Sequence, residues 1–168
     1  MAEGKIKTEN IVQVPSDMCL DSKDDVVDAV FDKFEDNIGN SEYFKSRVVL
    51  AVTNQIVNEV NDEMVERMPG DLHTFHSIDT VENVDKATMF PTEYLNALSL
   101  SGMSEHEIKL KENTVVILLR NMDIKGGHCN GTRYLVKHIG KYRLVLRKLD
   151  TNDDDKNVLI LPRIPLRY

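Results

Sequence analysis

Apolar residues recur along the chain at two spacings, and the change from one to the other divides it into elements. Residues 1–20 are weakly patterned, with Ile11, Val12 and Val14 ahead of Pro15 as a short extended segment and a loose extreme N-terminus. Val27, Val30, Phe31, Phe34 and Ile38 then fall on one helical face. That spacing predicts an amphipathic helix opened by the acidic cap residues 21–25 and ended by Gly39 or Asn40. Arg47 to Val52 (RVVLAV) is a short apolar run rich in β-branched residues, the pattern of a buried strand. A turn at Thr53-Asn54 follows, then a second amphipathic helix with Ile56, Val57, Val60, Met64 and Met68 inward. Thr53 or Asn54 supplies its N-cap, and Pro69-Gly70 stops it. Strand, capped turn and helix make a unit of an α/β domain with a parallel sheet, where helix N-termini beside strand ends hold phosphates.

In the second half the period shortens. His73 to Ile78 alternates like a strand, Asp79 to Lys86 is an acidic loop, Pro91 to Leu98 predicts a short helix, and Leu100 to Glu107 carries turn signals. The centre of the chain is Thr114 to Ile139, TVVILLRNMDIKGGHCNGTRYLVKHI. It opens on its most apolar run, Val115 to Leu119, which predicts a buried strand. Gly126, Gly127 and Gly131 mark tight backbone turns, and Thr132 to Ile139 reads as a strand. Gly140-Lys141 fits a hairpin turn with Gly first, and Tyr142 to Leu149 is the returning strand. Asp150 to Lys156 is an acidic hairpin loop, and Val158 to Leu161 a last strand, placed at an edge by Pro162 and Pro165.

Composition adds bounds. With 168 residues, 41% hydrophobic and 29% charged, the chain holds one ordinary globular domain or two small ones. A net charge of -7 excludes a protein that coats nucleic acid over its whole surface. Within this acidic chain lies a basic island: Arg120, Lys125, Arg133, Lys137, Lys141, Arg143, Arg147 and Lys148 are opposed between Asn113 and Leu149 only by Asp123. Basic side chains on a small sheet suit phosphate backbones, and Asn130, Gly131 and Thr132 add amide and hydroxyl donors. The ordinary reading of the same residues is edge blunting and turn chemistry. Cys19 and Cys129 form no CxxC pair, which fits reduced thiols in the nucleus or cytoplasm. The opening residues, MAEGKIKTEN, lack the apolar core of a secretory signal, and no run is long enough to cross a bilayer, so no membrane partner is expected.

Catalytic patterns are missing. The glycines never form GxxxxGK[ST], no serine sits in GxSxG, and His73 with His76, or His128 with Cys129, lacks the further ligands of a zinc site. Asp153, Asp154 and Asp155 lack the Gly and distal Glu of a calcium loop. The expectation is a chain without catalysis, metal or cofactor of its own.

Three blocks, VVLAVTNQIVNEVNDEMVERMPG, FPTEYLNALSLSGMSEHEIKLKENTVVILLRNMDIKGGHCNGTR and VLILPRIPL, closely resemble, in order and spacing, the C-terminal half of Pif-type DNA helicases, especially those encoded by Helitron transposons. The resemblance runs from about Asp24 to Leu166. It implies an α/β plus β fold: a loose segment at 1–23, part of a second RecA-like domain with its connection at 24–109, and at 110–168 a small SH3-like barrel, the 2B domain, with the start of a return. Thr53 and Asn54 match the family's fourth motif, which helps form the face meeting single-stranded DNA and the cleft between domains. Asn130, Gly131, Thr132 and Arg133 match the signature of the barrel, which lies beside the DNA path. Val52 and His128 depart from a usual Pro and Leu.

In the family, ATP and Mg are held by a phosphate loop, an acidic motif and a completing arginine whose motifs do not occur in this sequence. The resemblance therefore implies a non-catalytic fragment that supplies single-stranded DNA contacts for unwinding, recombination or repair, in the nucleus, cytoplasm or, for a complete family member, the mitochondrion. Arg120, Lys125, Asn130, Gly131, Thr132 and Arg133 are its first candidates, Thr53 and Asn54 its second. The alternatives are a protein-interaction module in which the barrel and the acidic helix with Asp24, Asp25, Asp28, Asp32, Glu35 and Asp36 bind a partner protein, or an inactive transposon relic. A third is a piece that works only with the rest of a helicase, supplied in trans or through a longer gene product.

Overall fold

The computed structural model describes residues 14–81, 89–98, 103–149 and 157–165. The acidic loop expected at 150–156, most of that at 79–86, the turn residues 100–102 and the segment at Ile11 and Val12 lie outside the described residues. Four α-helices are present among those described: α1 (Lys23–Val30), α2 (Ser41–Lys45), α3 (Asn54–Arg67) and α4 (Thr92–Asn96). β1 (His73–His76) and β2 (Glu107–Leu110) pair antiparallel as a ribbon. β3 (Val115–Ile117), β4 (Arg133–Ile139), β5 (Arg143–Lys148) and β6 (Val158–Pro162) form a four-stranded sheet in that order, every pair antiparallel.

This sheet is the core, because it is buried on both faces. Leu135 and Leu149 pack with Phe34, Tyr43, Phe44 and Met68 of the helical layer, and Val115 joins them. On the opposite face Tyr134, Val136, Ile139 and Leu146 pack with Leu110, Phe75, Leu159 and Leu161, so the β1–β2 ribbon covers that side. The strand period of two sends Leu135 one way and its neighbours Tyr134 and Val136 the other. Full burial of each such side chain contributes about 1.5–3 kcal/mol.

Several expectations are corrected. The helix foreseen over Val27–Ile38 stops at Val30 and re-forms only as a short 3-10 turn at Glu35–Asn37. Side chains take the carbonyls that would continue it: Arg47 Nε donates to Val30 O (3.0 Å), Tyr43 Oη to Asp32 O (2.9 Å), and Asn37 Nδ2 to Lys33 O (2.9 Å). Arg47 to Val52 is not a buried strand. It joins neither sheet, and Val48, Leu50 and Val52 are 58%, 87% and 97% exposed. The parallel sheet expected of a strand–turn–helix unit is likewise replaced by antiparallel pairing in both sheets. Nor is the sheet a closed barrel: its order runs openly from β3 to β6. The edge position expected for the last strand is what β6 has.

The β4–β5 turn also shifts by one residue. A bulge between Val136 and His138 lets Ile139 face Leu144, Gly140 N donates to Arg143 O (2.9 Å), and Lys141-Tyr142 rather than Gly140-Lys141 forms the tip.

Candidate nucleic-acid interface

Between β3 and β4 the chain makes a loop over residues 118–132, held by its own polar groups. Leu118 N donates to Thr132 O (3.0 Å) and Gly131 N to Leu118 O (2.8 Å), which closes the base. Asn121 Oδ1 accepts from Asn130 N (2.8 Å), and Asp123 pairs with His128 through His128 N to Asp123 O (2.8 Å). Asp123 Oδ1 then accepts from Lys125 N (3.0 Å) and fixes the outermost turn. Gly127 and Gly131 adopt φ of 74° and 85°, the left-handed region in which a side chain is strained. From below, Lys148 Nζ donates to Gly127 O (3.2 Å), and His128 Nδ1 meets Tyr134 Oη at 2.8 Å. Burial raises the Tyr134 phenol pKa above its ordinary value, so it stays neutral at physiological pH.

This framework brings five of the candidate residues into one loop. Lys125, Asn130 and Gly131 are exposed, while Arg120 and Thr132 are half-buried beside them. The sixth, Arg133, opens β4 and turns back into the molecule. Its guanidinium donates to the carbonyls of Lys45 (2.7 Å), Phe44 (3.2 Å) and Arg47 (3.4 Å), closing the C-terminal end of α2. Carbonyls at a helix end lack partners in the helix, and a cation there also opposes the helix dipole. Lys111 does the same for α3, donating to Met68 O (2.6 Å) and Glu66 O (3.4 Å). Arg147 donates to Ser41 Oγ (2.6 Å). The basic island thus divides into cations that hold the helical layer to the sheet and cations at its two ends.

Thr53 and Asn54 stand apart at the start of α3, where Thr53 Oγ1 caps the helix by accepting from Ile56 N (3.4 Å). The acidic helix is partly engaged: Arg67 reaches Asp28 and Glu35 (2.9 Å each), and Arg47 reaches Asp32 (3.2 Å). Sequence reasoning missed Asn121 and Asp123, whose side chains shape the loop. Their signal was available, since Asn and Asp ahead of a Gly pair favour backbone-capping turns.

Residues 93–139 match the family described as DNA helicase Pif1, 2B domain. The resemblance expected of a Pif-type helicase holds over that segment, which contains the whole 118–132 loop and β4. No curated protein matches the chain. Among the described residues no helix is long and apolar enough to cross a membrane.

Proposed function

We propose that this chain is a non-catalytic portion of a Pif1-type DNA helicase that holds single-stranded DNA on the 118–132 loop, serving unwinding, recombination or repair in a complete enzyme. The observation that carries this reading is the family match across a loop whose Lys125 and Asn130 are exposed and whose shape its own hydrogen bonds hold. Arg120 and Lys125 neutralise phosphates, and Asn130, Gly131 and Thr132 offer amide and hydroxyl donors. Arg133 acts as a positioning residue, because its donors already bind carbonyls. Thr53 and Asn54 contribute only through the placement of α3. ATP and Mg belong to motifs this sequence lacks, and no step of hydrolysis is assigned to its residues.

Fluorescence anisotropy of a labelled single-stranded oligonucleotide across a salt series tests this. Binding should weaken steeply with salt, with a log–log slope of roughly -0.7 per phosphate contact, and Arg120→Ala/Lys125→Ala should flatten it. A folded chain that fails to bind at low salt would overturn the reading.

The exposed row Val48, Leu50 and Val52 favours a second reading, in which this run receives a strand from the rest of a helicase, in trans or in a longer product. Leu50→Asp should then abolish co-purification with the other domains of a Pif1-type helicase. Retained association would end that idea.

A further inference from the structure

The tip of the β4–β5 hairpin carries chemistry that neither core nor loop uses. Tyr142 is 69% exposed there, with Lys141 Nζ lying 5.2 Å from its ring centroid. Arg143 follows and Lys137 lies on the facing strand, both exposed. Glu112 is engaged by the neighbouring His138, at 3.0 Å. Gly140 N donating to Arg143 O (2.9 Å) closes a two-residue turn, which puts Lys141 and the Tyr142 ring at the tip.

An exposed aromatic ring between two cations matches what a single strand requires. The ring face takes a base, and the cations take the phosphates on either side. Duplex DNA hides its base faces, so the same tip favours the unpaired strand. β4 separates this tip from the 118–132 loop by about 20 Å at a rise of about 3.3 Å per residue. We propose that Lys141, Tyr142 and Arg143 form a second contact for single-stranded nucleic acid, at the opposite end of the sheet, with Tyr142 stacking on a base. This rests on the chain being a nucleic-acid binder, but not on the loop being the site.

The test is anisotropy with a labelled oligothymidine long enough to span both ends, comparing wild type, Tyr142→Ala, Tyr142→Phe and Arg120→Ala/Lys125→Ala. Circular dichroism melts check that each variant is folded. Loss of one base stack should weaken binding by Tyr142→Ala roughly five- to hundredfold, while Tyr142→Phe, which keeps the ring, stays within about twofold. If Tyr142→Ala binds like wild type while the Arg120/Lys125 variant is weakened, the tip is overturned and the loop stands alone. If Tyr142→Phe loses as much as Tyr142→Ala, the hydroxyl rather than the ring is responsible, and stacking is overturned. Weakening by Tyr142→Ala with an unaffected Arg120/Lys125 variant supports the tip and removes the loop. A folded wild type that does not bind overturns both.

Discussion

Two β-branched apolar runs in this chain meet opposite fates. Val115–Ile117 pairs with β4, whose residues find the helical layer on one face and the β1–β2 ribbon on the other. Arg47 to Val52, equally apolar, lies along the surface without a place in either sheet, its alternate side chains turned to water. Alternation and β-propensity describe what a strand can do with a neighbour, and they do not supply one. The difference between the runs is the presence of donors and acceptors alongside.

The largest effect that probes this contrast is in the core. Leu135→Ala removes a side chain that is 0% exposed between sheet and helices. It should cost about 2–5 kcal/mol in urea denaturation. Leu50→Ala, at 87% exposure, should stay within about 0.5 kcal/mol. Equal costs would mean that the second run is paired in solution and would erase the contrast.

The same contrast applies to cations. Arg133 bonds carbonyls from the end of α2 and the segment after it, so Arg133→Ala removes the donors that tie those carbonyls to β4 and should cost about 1–3 kcal/mol. Arg133→Lys should restore only part of that, since an ammonium lacks the planar fork that reaches separate oxygens. Lys125→Ala, on the exposed loop, should change stability by less than about 0.5 kcal/mol. A chemical-denaturation series in which Arg133→Ala is as stable as wild type would return its guanidinium to the set available for phosphate.

Legibility in the sequence followed the same divide. Helix α3, with its Thr53 cap and its stop before Pro69, was readable because caps are local, but its inward face was only partly so: Ile56 and Val57 are exposed, and Val65, not expected inward, is buried. The β4–β5 hairpin was readable within one residue, and its bulge between Val136 and His138 is a feature that alternation does not mark. The open sheet in place of a barrel, and the solvent-facing Arg47–Val52 run, depend on neighbours distant in sequence. The site was half legible. Charge located the island, but nothing local distinguishes Arg133, bonded to carbonyls 86 to 89 residues away, from Lys125 on the surface.

A smaller effect comes from the cap at the start of α3. Thr53→Ala removes the acceptor for Ile56 N and should cost about 1 kcal/mol, while Thr53→Ser keeps it. Thermal melts would separate the two, and an unchanged Thr53→Ala would show that the cap is idle.

The smallest effect lies in the acidic helical layer, where Arg67 joins Asp28 and Glu35 and lies over the Phe34 ring at 5.3 Å. The Glu35 carboxyl is held below its ordinary value of 4.5, first by a backbone hydrogen bond and then by Arg67. A depressed folded value means that folding favours the carboxylate, so its contribution is present above 4.5 and is lost as pH falls through the lowered value. Stability followed by denaturation through that acid window should fall less steeply in Glu35→Gln than in wild type. The side chain is exposed to solvent and screening by salt should shrink the difference further. Parallel profiles would mean that Arg67 is held to α1 through Asp28 alone.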